Sequence, residues 1–204
     1  MNHKNPKLIL MKKLCLLAFI LSAFCAAAQN KLPVVKFNSA VTPDIIKVAR
    51  DYYDHFFNVK GDKISETEST IEYKSKILPQ GAEESTITQI KSLQNVYSWQ
   101  AIMMNTDDYD KAVAKYKQIY RQLNGANLPM NDGKSCKIRG SYDIPDTERA
   151  FASSILEPDV DEKYLRRLKI EVALNYAMPE WTVKIMIYEK ESDEDIRPTE
   201  PVSQ

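Results

Sequence analysis

Histidine is nearly absent: 2 in 204 residues, with only 3 cysteines and 5 glycines beside them. Each shortage removes a class of chemistry. His3 falls in the expected export signal described below, so His55 stands alone. That excludes zinc sites built on two imidazoles. It also makes any Ser-His-Asp or Cys-His arrangement depend on one residue. So few glycines leave little for phosphate-cradling loops, and the chain holds no GxGxxG, GxxxxGK[ST], HExxH or GxSxG motif. The residues single out no cofactor, no metal site and no catalytic group.

Long apolar runs are missing too. The longest, Leu14 to Phe24 with Ser22 inside it, falls short of the ~20 residues that cross a bilayer. Lys12 and Lys13 precede that run and Ala26-Ala27-Ala28 follow it, the three-part order of a cleaved secretory signal. Residues 1–28 are therefore expected to be removed, leaving Gln29 first, with Met11 an alternative start. A retained anchor is the competing reading. Acylation of Cys25 is another, but Phe24 stands where a lipoprotein needs a small residue. The expectation is an exported bacterial protein of the periplasm or the medium, with no integral membrane segment after processing.

Formal charge is balanced, 28 basic against 28 acidic residues. The first 28 residues carry Lys4, Lys7, Lys12 and Lys13 and no acid, so 24 basic residues then face 28 acidic ones, a net charge of −4. A mildly acidic chain lacks the footprint that binds a phosphate backbone, and no nucleic-acid partner is expected. About 176 residues remain, enough for one domain over 29–190 with a sizeable core. Only Cys136 survives processing, so no internal disulfide forms. It sits in the strand-like run Cys136-Lys137-Ile138-Arg139, which favours a buried inert thiol over a reactive or intermolecular one.

What is present is periodic. Thr42, Pro43 and Asp44 open a helix as cap, first residue and dipole partner. Ile45, Val48, Ala49, Tyr52, Phe56 and Val59 recur at helical spacing, and Gly61 is placed to end it. His55 then reads as a structural residue of that helix. Residues 70–77, 84–91 and 97–103 read as strands, with a turn at Leu78-Pro79-Gln80-Gly81. Thr106 is the expected cap of a second helix, whose apolar face runs from Tyr109 through Ala112, Tyr116, Ile119 and Tyr120 to Leu123, with Gly125 beyond. Four more strands follow over 136–142, 149–156, 165–176 and 181–188, the last two a hairpin across Ala177-Met178-Pro179-Glu180.

The helices align at an offset of 64, which sets Asp44 on Asp108, Tyr52 on Tyr116 and Gly61 on Gly125. The expectation is an α+β fold: a mostly antiparallel sheet with two long amphipathic helices on one face. It includes a tandem αβββ duplication over 42–104 and 106–188, with a longer inter-strand stretch over 143–164 in the second copy. Residues 191–204, acidic and proline-bearing, are expected to be a disordered tail.

Carboxylates cluster at Asp107-Asp108-Tyr109-Asp110 and at Asp159-Val160-Asp161-Glu162. The first cluster is explained by a helix N-terminus, where each acid stabilises by about 0.3–1 kcal/mol. Asp193, Glu194 and Asp195 lack calcium-loop spacing. Tyr97, Trp99, Tyr176 and Trp181 stand at strand ends, where they either fill the core or line a groove for peptide, glycan or lipid. The functional expectation is a non-enzymatic module that binds a protein or cell-envelope ligand through a sheet face or edge. The alternative is a hydrolase or lyase using Asp159, Asp161 or Tyr164. The two differ in whether those side chains converge in a pocket.

Overall fold

The computed structural model describes residues 41–92 and 95–190, so the expected signal (1–28) and acidic tail (191–204) lie outside the described residues. Helix α1 (Val41–Asp51) leads into strands β1 (Lys60–Glu66), β2 (Thr70–Ser75), β3 (Glu84–Ile90) and β4 (Val96–Thr106). Helix α2 (Tyr109–Leu123) is followed by β5 (Asn127–Pro129), β6 (Ser135–Arg139), β7 (Phe151–Pro158), β8 (Leu168–Ala177) and β9 (Glu180–Glu189). All nine strands join one sheet in the order β1-β2-β3-β4-β9-β8-β7-β6-β5, antiparallel throughout. Each half is a meander in chain order, so the last strands of the halves, β4 and β9, meet at the centre.

Period-two patterning decides which sheet face is covered. Trp99, Ala101 and Met103 on β4 and Val183, Ile185 and Ile187 on β9 are buried on one face. There α2 lies across β4, β9 and β8, inserting Ala112, Tyr116, Ile119 and Leu123, each 0% exposed. A fully buried aliphatic side chain contributes about 1.5–3 kcal/mol, so this stripe alone holds α2 down. The Trp99 indole N–H donates to Ser75 Oγ at 2.9 Å, which satisfies a polar atom at the core's centre. Helix α1 lies against α2 and β5, with the Thr42 hydroxyl donating to the Gln122 carbonyl at 3.2 Å.

The first helix is shorter than its periodicity predicts. It stops at Asp51, and residues 52–59 form a turn in which His55 and Phe56 take left-handed φ values of 53° and 58°. His55 is therefore not helical, and Gly61 lies in β1 rather than at a helix end. The Asp51 carboxylate supplies the cause. Its Oδ2 accepts the N–H groups of Asn58 (2.9 Å) and Val59 (3.0 Å), its Oδ1 the Asn58 side-chain amide, folding the chain back on itself. The cap of α2 also differs: Asp108, not Thr106, accepts the Lys111 N–H at 3.1 Å, while Thr106 Oγ1 accepts the Asp108 N–H. Strand β1 adds a fourth strand to a half expected to have three.

Beyond β6, residues 140–146 run beside the outer edge of β7 and are tied to it by side chains. The Asp143 carboxylate accepts the Ser153 N–H at 3.0 Å and Arg149 at 2.9 Å, while the Asp143 N–H donates to Ser154 Oγ. Tyr142 packs between Tyr116 and Tyr120 at 5.4 and 5.0 Å. Tyr116 donates to the Asp143 carbonyl and shares a hydrogen bond with Ser154, and burial pushes its phenol up to about 12. Arg149, aided by the Ser153 N–H, holds the Asp143 carboxyl below its ordinary value of 3.8. A depressed folded value means stability is present above the ordinary value and lost as pH falls through the folded one. Asp143→Asn should therefore flatten the acid limb of a urea-midpoint-versus-pH curve below about pH 4, while lowering stability at pH 7. An unchanged acid limb would show that Asp143 does not brace this segment.

Candidate functional site

The residues that carried the alternative hydrolytic reading do not converge. Asp159 accepts the Lys137 N–H at 2.6 Å and pairs with Arg139 at 3.2 Å, and these partners hold its carboxyl below the usual range. Asp161 pairs separately with Arg166 at 2.9 Å and is 82% exposed. Tyr164 turns away from both and meets Tyr53 edge-on, ring centroids 5.9 Å apart. The two tyrosines, with Arg50, Tyr52, Leu128 and Pro129, border a cleft of about 20 Å³, room for one water. Substrate-sized pockets are larger by an order of magnitude. Among the described residues no group of three or more His, Cys, Asp or Glu side chains could hold a metal ion.

Cys136 is buried, its thiol 3.8 Å from the Leu128 carbonyl and pushed up in pKa by burial. Such a thiol is a poor nucleophile. His55 lies 5.1 Å from the Tyr97 ring, and the Lys60 ammonium sits over Tyr97 and Tyr73 at 5.2 and 4.9 Å. That aromatic group closes on a cation of its own chain.

The sheet face away from α2 is uncovered by any described helix. Register carries one row across five strands as Thr86, Gln100, Met186, Glu171 and Ile155, and a parallel row as Thr88, Ser98, Tyr188 and Lys169. Polar groups here are tied to one another. Tyr188 donates to Glu171 at 2.8 Å and Ser153 donates to the same carboxylate at 2.5 Å, while the buried Lys169 pairs with Glu157. Burial and the Glu171 contact raise the Tyr188 pKa. Glu171, Lys169 and Tyr188 are thus answered by neighbours, so this part of the face is a satisfied polar lattice.

This face also exposes Ile155 (42%) and Phe151 (61%), and another apolar group stands at the end of the sheet. The four strand-end aromatics expected to group together divide: Trp99 is fully buried and Tyr97 joins His55, but Tyr176 and Trp181 stack 4.8 Å apart. Tyr109, from the start of α2, extends that stack from the other side of Trp181 at 4.9 Å. At the same end of the sheet Met178 is 85% exposed and Ile144 73%. The Tyr176 N–H donates to the Ala150 carbonyl at 2.7 Å, while Phe151 pairs with Asn175 and so stands on the open face with Ser153 and Ile155, away from the stack. The Arg149 guanidinium donates to the Ile144 carbonyl at 2.7 Å, which places Ile144 at the same end. Tyr176 and Trp181 are visible in the sequence as strand-end aromatics. Tyr109 reads there as a helix-core residue, and Met178 as an ordinary turn residue.

No helix among the described residues is long and apolar enough to cross a membrane. Comparison with protein-family models, curated proteins and solved structures returns no match.

Proposed function

We propose that this chain is the precursor of an exported, non-enzymatic binding module that engages a protein or envelope component at the end of its sheet. The observation that carries the reading is the exposure of Ile144, Tyr176 and Met178 at the sheet end where Tyr109 and Trp181 stack. Monomeric proteins seldom leave such a contiguous apolar group without use. The sheet holds it on a stiff support: two strand ends and a helix start fix the rings, so little side-chain entropy is lost on contact. Export rests on the composition of residues 1–28, and the same segment sets the net charge of −4.

We also propose that the halves are tandem copies of a helix-then-meander unit, with four strands in the first half and five in the second. The buried stripes support this at an offset of 71 rather than 64: Val41, Ile45, Val48 and Tyr52 then fall on Ala112, Tyr116, Ile119 and Leu123. Spacing and burial agree at all four positions.

The test is retention from envelope extract on immobilised protein, wild type against Ile144→Asp and Met178→Asp. Both side chains are exposed, so the variants should fold. The expected result is a retained component that each variant loses. Retention of nothing, combined with a hydrolytic activity abolished by Asp161→Asn, would replace the reading with the enzymatic one.

A further inference from the structure

Resting on the binding reading above, we infer that the end of the sheet bearing Met178 and Trp181 docks a cationic, apolar polypeptide segment. The apolar part comes from Ile144, Tyr176 and Met178 beside Trp181, and its chemistry alone would suit several occupants. Charge selects among them. Asp107 and Asp110 flank Tyr109 at the start of α2, Asp146 and Glu148 follow Ile144, and Glu180 follows Met178 in the hairpin. All five are exposed, and none of the salt bridges among the described residues neutralises them. The nearby bases are already engaged: Lys111 with Asp108 at 3.0 Å, Arg149 with Asp143 at 2.9 Å. Asp146 and Asp110 lie near enough to Tyr109 that, together with burial, they raise its pKa.

An apolar centre bordered by exposed carboxylates, in excess over the nearby bases, complements a partner with apolar side chains among lysines or arginines. The same carboxylates oppose the other occupants. A second copy would bring like charge against like charge, and an anionic lipid surface would be repelled. Specificity here lies as much in that repulsion as in the attraction.

The protein carries its own reporter. Trp99 is 0% exposed under the core, so changes at the surface reach only Trp181, stacked between Tyr109 and Tyr176. Indole emission of the purified protein should shift saturably on titration with a synthetic leucine–lysine peptide of about ten residues. The matched leucine–glutamate peptide should give no shift. Raising salt from 50 to 500 mM should weaken the response, since the charges are exposed and a Debye length is only ~10 Å at 0.1 M. Met178→Asp should weaken binding about tenfold, the size of a hot-spot loss. Ile64→Asp, an exposed residue of β1 at the opposite side of the sheet, should leave it unchanged. Trp181→Phe should abolish the optical signal while calorimetry still registers binding.

Equal response to both peptides, or a shift with anionic vesicles and none with the lysine peptide, would overturn the inference. If envelope extract yields a partner that Met178→Asp loses but the lysine peptide does not displace, the binding reading stands and the assigned partner chemistry falls. If extract yields no partner and the peptide gives no shift, both fall.

Discussion

Gly140→Ala should destabilise the protein by about 3 kcal/mol, the largest loss expected from adding one methyl group anywhere in the chain. A Cβ at position 140 would stand 1.9 Å from the Ile155 carbonyl oxygen, 2.8 Å from its carbon and 3.0 Å from the Leu156 Cα. All three are backbone atoms of β7, so no rotamer change relieves the contact. The strand or the segment must move by more than an ångström. Moving the segment pulls on the Tyr120 hydroxyl bonded to the Gly140 carbonyl at 2.8 Å. It also strains the Asp143 contacts to Ser153 and Ser154. Hydrogen bonds of this kind contribute about 0.5–1.5 kcal/mol each, and two or three would lengthen together. Gly133 supplies the contrast, because nothing lies within 4 Å of an added Cβ there and only its φ of 83° resists substitution. Gly133→Asn should cost under about 1 kcal/mol, since asparagine tolerates that conformation. Urea unfolding of the two variants checks both numbers, and equal midpoints would show that position 140 has slack.

Much of the sheet is legible in the residues because most of it is one-sided. Strands β4 and β9 alternate, so period two shows both the element and its covered face. Strand β8 also reads well, although Lys169 and Ala173 on its open face are buried too. Strand β1 leaves no such trace. Lys60 to Glu66 has no buried residue, and its edge is bulged and charged, so neither alternation nor apolar run marks it. Strand β5 has three residues and is too short for any period.

Helix α1 shows how a pattern persists while its geometry changes. Tyr52, Phe56 and Val59 continue the three- and four-residue spacing, and all three are buried as a helical face would be. They reach the core from a turn instead. The decisive contact joins Asp51 to Asn58, seven residues away: a helix would hold them two turns, about 10 Å, apart, so a spacing that fits the helical period conceals a chain folded back on itself. The candidate site divides along similar lines. Tyr176 and Trp181 announce themselves as opposing aromatics on a hairpin, whereas Tyr109 joins them only through tertiary packing. Nothing local in a sequence records which helix start will meet which strand end.

That turn is the place for the second large effect: Asp51→Ala should cost about 3 kcal/mol, and Asp51→Asn about 1 kcal/mol. The carboxylate is 7% exposed and accepts three hydrogen bonds, two of them from backbone N–H groups. Hydrogen bonds to charged groups contribute about 1.5–3 kcal/mol, and removing the acceptor leaves the nearly buried Val59 N–H without its partner. Its loss also frees a turn held at two left-handed residues, each costing about 1–2 kcal/mol to maintain. Phe56, 0% exposed at the centre of that turn, would then lose its fixed place in the core. Asparagine keeps one oxygen, which can still accept both backbone N–H groups, because in the native turn these two share Oδ2. The Asn58 amide can flip to receive the new NH₂, so only the charge-assisted share of the energy goes. Urea unfolding gives the two free energies, and hydrogen exchange at the Asn58 and Val59 amides locates the damage. Alanine and asparagine variants of equal stability would mean that the turn is held by Phe56 burial alone and that the carboxylate is incidental.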